Sequence, residues 1–317
     1  LHYPLRRQRQ MCIRDSCVYC PHLNIVIRVT RRDDRQMGKI LDQGQIRFYK
    51  ENGYLVAEDI FDPRHLDETL EHFNLSFTQQ LERMGLPIAQ GPTLSALHQN
   101  MAALLNASIP LYLATLRMCS KLYGIYRLMT AERLRDATAD LGIATPLFQT
   151  TPVLHLMSKR LVIPGGYQGF DVHQDWTSVQ GSLDTITTWI PFMDIDARLF
   201  TMEVIPKSHL QGLLSGTQEQ HVLRVDDQHF SDKDFIPVCV GKGGVCLMSN
   251  FTIHRSSRDG DERIRISVSG RYENASEPTF IEREYPFTQH KSMQRGFITE
   301  HFPNIEQVRH TYTAENT

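Results

Sequence analysis

From Pro146 onward the apolar residues leave helical spacing and fall into short alternating or continuous runs bounded by turn residues, at 151–157, 184–192, 201–205, 235–240, 245–250 and 264–272. Successive side chains of an extended chain point to opposite sides, so such runs read as strands with one or both faces buried. Several short strands at this spacing favour a jelly roll or barrel over parallel units joined by crossover helices. The stretch before Pro146 reads differently. Ile46, Phe48, Tyr49, Gly53, Tyr54, Leu55 and Val56 suit a short helix turning into a strand, and a charged helix follows from Asp62 to about Met84. Asp62 caps that helix and Pro63 suits its first turn. Helical patterns continue through 93–106, 110–129 and 131–141. The expected fold is mainly β with N-terminal helices, with no repeat or interdomain linker to divide it. Residues 37–317 form one expected domain: a helical support over about 37–145, a jelly-roll core over about 146–280 and a C-terminal segment at 281–317.

Composition narrows the partners. A hydrophobic content of 41% in 317 residues suits an ordinary soluble core. No apolar run approaches the roughly 20 residues of a membrane helix. The formal charge of −2 argues against nucleic acid as the main partner. Residues 1–36 carry eight Lys and Arg against three Asp and Glu, leaving the remainder with 26 against 33, or about −7. This arm has almost no helical or strand period, and its run from Arg6 to Ser16 resembles translated sequencing-adapter read-through. It is expected to be a non-native or disordered extension, with Met37 as the true start. Cys12, Cys17, Cys20 and His22 mimic a zinc knuckle in spacing, but no second ligand pair surrounds them. Cys119, Cys239 and Cys246 stand in apolar contexts and read as free thiols of a reducing compartment, consistent with a cytoplasmic protein.

The chemistry-bearing pattern is His173-Gln174-Asp175, with His254 far downstream and Arg265 eleven residues after it. Two imidazoles and one carboxylate form the facial triad that leaves three positions of an iron open. On a strand end, His173 and Asp175 would leave by one face, and a rolled antiparallel sheet could bring His254 beside them. Arg263, Arg265, Ser267 and Ser269 would share one strand face, and an arginine there could grip a carboxylate through a planar two-pronged contact that lysine cannot copy.

Further motifs stand in order around this set: Phe48-Tyr49 with Asn52-Gly53-Tyr54, then Val204-Ile205-Pro206-Lys207-Ser208-His209, then His254 with Ser256 and Arg265. Over residues 45–272 the chain resembles the phytanoyl-CoA dioxygenase family of iron(II) and 2-oxoglutarate oxygenases. The resemblance implies a double-stranded β-helix core of cupin-like, jelly-roll type. It implies oxidative decarboxylation of 2-oxoglutarate coupled to hydroxylation of a small organic substrate by O2, giving succinate and CO2, with ascorbate as a supporting reductant. By that pattern His173, Asp175 and His254 would bind iron and form the catalytic centre. Arg265 would bind the far carboxylate of 2-oxoglutarate, Ser256 would assist it, and Trp189 would lie beside the cosubstrate.

Two departures stand out. Lys207 occupies a position where the family usually has glycine, and the loop 196–200 lacks the usual Asn-Gly. Asp175 retains the carboxylate that halogenating relatives replace with a small residue, which favours hydroxylation over halogenation. Among other residues, His155 reads as a core or supporting histidine, His209 as a turn-fixing one and Arg263 as a surface ion-pair residue. Trp176 and Phe170 suit either packing or a pocket wall, and Tyr167 and Gln168 lie in a glycine-rich loop leading into the site. The rival readings are a cupin-like isomerase or hydrolase that uses no keto acid, disfavoured by Arg265, and a non-catalytic jelly-roll binding protein. The sequence assigns no substrate and no oligomeric state.

Overall fold

The computed structural model describes residues 39–148, 151–219, 222–286 and 302–313. The expected extension at 1–36, with its Cys12, Cys17, Cys20 and His22 cluster, lies outside the described residues. Helix α1 (Gln43–Asn52) is opened by Asp42, which accepts from the Gln45 N–H while the Gln45 side chain accepts from the Asp42 N–H. Strand β1 (Tyr54–Ala57) follows at once. Helix α2 (Pro63–Arg83) begins as expected, with Asp62 accepting from the Arg64 N–H and proline in the first turn. Helices α3 (Thr93–Ala107), α4 (Ile109–Cys119), α5 (Tyr123–Met129) and α6 (Glu132–Asp140) complete the layer.

The single pattern at 110–129 is thus two helices. The Ser120 hydroxyl donates to the Arg117 carbonyl at the end of α4. Gly124 then lets α5 lie against α2, because a Cβ there would overlap the Thr69 side chain. No described helix is long and apolar enough to cross a membrane.

The strands are β2 (Pro146–Leu147), β3 (Val153–Met157), β4 (Ile186–Pro191), β5 (Met202–Val204), β6 (Gly216–Gln218), β7 (Leu223–Val225), β8 (Ile236–Val238), β9 (Val245–Ser249), β10 (His254–Ser256) and β11 (Arg265–Asn274). The main sheet runs β1-β9-β4-β11, and both β3 and β2 pair along the far edge of β11. A smaller sheet runs β10-β5-β8, and His173 bridges β10 to β7 of the β6-β7 ribbon. Every pairing is antiparallel. The two sheets with their helical support agree with the expected double-stranded β-helix. The three-residue strands β6, β7 and β10 escape the sequence reading because they are too short to show a period.

Alternation along β11 divides two environments. Gly270 and Tyr272 face the helices: a Cβ on Gly270 would overlap Met129 Sδ, and the Tyr272 hydroxyl donates to the Met129 carbonyl at 2.5 Å. Phe73 of α2 packs on Phe192 just after β4, their ring centroids 5.6 Å apart. Arg265, Ser269 and Arg271 face the interior between the sheets, where they line a cavity.

The junction at Gly53 explains the Asn52-Gly53-Tyr54 motif. Gly53 ends α1 at φ 79°, and a Cβ there would collide with His209 and Thr252. Its carbonyl accepts from the Ser249 N–H and the Thr252 hydroxyl, and the Asn52 carbonyl accepts from the Lys207 N–H. His209 closes the same junction through a 2.9 Å contact to the Lys50 carbonyl, the turn-fixing part expected of it. Lys207 itself stands at φ 66°, the left-handed conformation a glycine would enter without strain. Two residues beyond Arg271 on β11, Glu273 is fully buried and neither carboxylate oxygen has a hydrogen-bond partner. Burial pushes its carboxyl up to about 8, opposed by Arg271 and reinforced by Asp184.

Two stability changes follow. Lys207→Gly should raise the unfolding free energy by about 0.5–1 kcal/mol through relief of left-handed strain, and an unchanged denaturation midpoint would contradict this. For Glu273, the folded carboxyl holds its proton to about pH 8 while the unfolded one releases it near 4.5. The native state therefore binds more protons in that window, and stability falls as pH rises through it. Glu273→Gln should exceed the parent by on the order of 2 kcal/mol at alkaline pH and lose most of that advantage in acid. Parallel melting-temperature profiles across pH for the two proteins would refute the assignment.

Candidate metal centre and cosubstrate pocket

His173 and His254 sit opposite each other on neighbouring extended segments and exchange both main-chain hydrogen bonds, at 2.9 and 3.1 Å. Residues paired this way project their side chains to one face, and the two rings lie with centroids 4.0 Å apart. Each Nδ1 faces a main-chain carbonyl, that of Asp171 at 2.6 Å for His173 and that of Thr252 at 3.0 Å for His254. With the Nδ1–H donated there, each Nε2 keeps its lone pair for the cavity. Burial, then the neighbouring His173, pulls His254 down to about 3, so its ring is neutral at ordinary pH.

Asp175 reaches the pair differently from the expected strand alternation. The chain turns helical at Asp175, with φ −65° and ψ −28°, as it enters the short helix α7 (Trp176–Val179), and this turn carries the carboxylate back toward the rings. Asp175 Oδ1 lies 3.6 Å from His173 Nε2 and 4.0 Å from His254 Nε2. Burial alone would raise this carboxyl, but Arg271, His173 and His254 together hold it well below the ordinary carboxylate range. Arg271 Nη2 donates to Oδ1 at 2.9 Å and the Thr187 hydroxyl to Oδ2 at 2.6 Å. The three buried ligand atoms fall within 4.8 Å of one another, the one such group among the described residues. Two imidazoles and a carboxylate are donors that suit a divalent iron with open positions, so the residues present fit the metal.

Arg265 enters the same cavity from β11 and is 2% exposed. Its Nη1 donates to the Phe200 carbonyl at 2.7 Å, its Nε has no partner, and its guanidinium carbon lies 5.8 Å from the Trp189 ring centre. Burial lowers its pKa while Tyr167, hydrogen-bonded to it, opposes that shift. A buried guanidinium with an unspent N–H is a site for an anion. Phe200 takes φ 45° to present its carbonyl there, in the loop that lacks the usual Asn-Gly. Ser256 lines the cavity, and its Oγ accepts from the Phe170 N–H at 3.1 Å. The structure thus brings His173, Asp175, His254, Arg265, Ser256 and Trp189 around one space.

The remaining residues sort by contact. His155 lies at the cavity wall with Nε2 2.7 Å from Ser269 Oγ, outside the ligand group. Trp176 is fully buried, donates to the Gly181 carbonyl and stacks on Phe251, so it packs the core. Phe170 walls the cavity, and Tyr167 packs on it with centroids 4.9 Å apart. Arg263 is an ion-pair residue, bound to Asp261 and Asp196. Gln168 lines a wider neighbouring groove of about 460 Å³, whose walls carry Asp171, Glu203, Asp232, Arg255 and Arg258. Sequence reasoning missed Arg271 and Thr187. The two-residue period of β11 extends to Arg271 and could have flagged it, whereas nothing local marks Thr187.

The family described as phytanoyl-CoA dioxygenase (PhyH) matches residues 49–266. No curated protein matches the chain. Among solved structures, the chain is similar to the non-heme alpha ketoglutarate dependent epimerase SnoN from nogalamycin biosynthesis, at 16% identity and TM-score 0.48 over 74% of this chain and 83% of that one. It is similar to the carbocyclase SnoK from the same biosynthesis, at 18% identity and TM-score 0.45 over 77% and 88%. The apoform of EctD from S. alaskensis aligns at 14% identity and TM-score 0.48 over 75% and 78%.

Thr187→Val removes the donor to Asp175 Oδ2 while conserving shape. Manganese(II) affinity, read by chelator competition, should fall about tenfold. An unchanged affinity would show that Thr187 does not orient the carboxylate.

Proposed function

The chain belongs to the phytanoyl-CoA dioxygenase family, and on that premise we propose that it hydroxylates a small polar molecule at a centre formed by His173, Asp175 and His254. Its cofactors are iron(II) and 2-oxoglutarate, and it is a 2-oxoglutarate-dependent oxygenase. The observation that carries the site assignment is the convergence of three buried ligand atoms within 4.8 Å of one another in a cavity that also receives Arg265. When bound, iron with 2-oxoglutarate supplies the oxidation, reducing O2 and releasing succinate and CO2.

The chain's own residues supply geometry and electrostatics. His173 and His254 present Nε2 because their Nδ1 groups are held by main-chain carbonyls. Asp175 stays ionised through Arg271 and the two histidines, and the Thr187 hydroxyl donates to its other oxygen. Arg265 holds the far carboxylate of 2-oxoglutarate in this reading, with Ser256 close by and Trp189 beside the chain of the acid. Burial of these groups strengthens each charge interaction by excluding water. The carboxylate at 175 supports hydroxylation rather than halogenation. The charged walls of the adjoining groove support a polar substrate rather than a long acyl chain. Family membership sets aside the cupin-like isomerase or hydrolase and the non-catalytic jelly roll.

Anaerobic titration of the iron-loaded protein with 2-oxoglutarate should develop the weak visible charge-transfer band of the chelate. Arg265→Lys should need at least about tenfold more keto acid, because it keeps charge but loses the planar fork. Asp175→Ala should show no 2-oxoglutarate turnover. Iron bound without any band, or undiminished turnover in Asp175→Ala, would refute the reading.

A further inference from the structure

The cavity carries a second arginine, assigned so far only to holding Asp175 ionised. Arg271 stands six residues beyond Arg265 on the same face of β11, its side chain 11% exposed. Its Nη2 donates to Asp175 Oδ1 at 2.9 Å, the oxygen nearest both histidine Nε2 atoms. Its Nη1 reaches Ser269 Oγ at 3.2 Å, and its buried Nε has no partner. Glu273, the next carboxylate on this face, makes no hydrogen bond to it. Arg255, the other arginine lining the cavity, is already paired with Glu203 and Asp232.

The charge balance then points one way. Asp175 supplies one negative charge against the positive charges of Arg265 and Arg271, and an iron(II) ion held by Asp175 would add two more. Metal binding would also draw on the same carboxylate that now satisfies Arg271. A shielded guanidinium left beside a dication is costly unless an anion joins it.

We propose that Arg271 is a second carboxylate anchor of this site, gripping a ligand carboxylate beside Asp175 while Arg265 grips another deeper in. This rests on the iron and 2-oxoglutarate reading above. The carboxylate has two sources of the same chemistry: the C1 group of the 2-oxo acid, or an acidic group on the substrate. The guanidinium suits either, because it has five N–H donors and its Nε has no partner, while Asp175 and Ser269 take one contact each.

The test compares wild type, Arg271→Gln and Arg271→Lys, iron-loaded and anaerobic, by the chelate band with 2-oxoglutarate and with pyruvate, which lacks the far carboxylate. If C1 is the partner, Arg271→Gln weakens both keto acids about tenfold or more, and Arg271→Lys recovers only part. Arg265→Ala, in contrast, weakens 2-oxoglutarate and spares pyruvate. If the substrate supplies the carboxylate, both keto acids bind Arg271→Gln normally. In that case propionate, but not propionamide, perturbs the preformed wild-type chelate, and the variant loses this response. Normal keto-acid binding in both variants with no acid-selective response in the wild type overturns the proposal. Should Arg271→Gln fail to fold, Arg271→Lys carries the same comparison. A wild type that binds iron yet forms no chelate band would instead overturn the parent reading.

Discussion

Two main-chain hydrogen bonds between His173 and His254 hold the centre of this molecule in register. They place both rings on one face of the smaller sheet and, through the bridge from His173 to Arg224, attach the β6-β7 ribbon to that sheet. A one-residue slip would turn one ring to the opposite face, so the reach of the whole roll is set here. The neighbouring segments are locked accordingly. Gln174, between His173 and Asp175, is buried and satisfied by the Gly212 and Phe251 carbonyls and the Leu214 N–H. The Trp176 N–H donates to the Asn250 carbonyl. The turn that delivers Asp175 is therefore fastened on both sides.

A buried carboxylate is the second constraint. Removing an ionised group from water is costly unless donors surround it. Asp175 is met by a hydroxyl from β4 and a guanidinium from β11, strands that pair directly in the main sheet. Asp175, beside the two histidines of the smaller sheet, thus depends on the larger sheet for its ionised state. Helices α2 and α5 back those strands through Phe73 and Met129, and Gly124 lets the two helices lie against each other.

Much of this was legible in the sequence because it depends on residue type and order. The change of period after Pro146 marked the roll, and Asp62-Pro63 marked the start of α2 to the residue. His173 and Asp175 alone are a common pairing, and the set stood out because His254 and Arg265 follow in order among the flanking motifs of the resemblance. What escaped was set by contacts far apart in the chain. Gly124 of α5 meets Thr69 of α2, and Thr187 meets Asp175, only in the folded chain. Asp175 lies on a helical turn, which the two-residue spacing from His173 could not reveal because strand ends and turns both permit it.

The two departures from the family pattern are instructive together. Lys207 and Phe200 both adopt positive φ, where a side chain costs of order 1 kcal/mol or more. Each conformation has a structural return. At Lys207 it lets the N–H reach the Asn52 carbonyl and seals the Gly53 junction beneath His209. At Phe200 it turns the carbonyl onto Arg265 and leaves the ring against Gly260, where a Cβ would overlap it. The guanidinium is consequently held in place by a main-chain acceptor that carries no formal charge. Its full positive charge stays available to an incoming carboxylate, which a salt-bridging Asp or Glu at the same place would have cancelled.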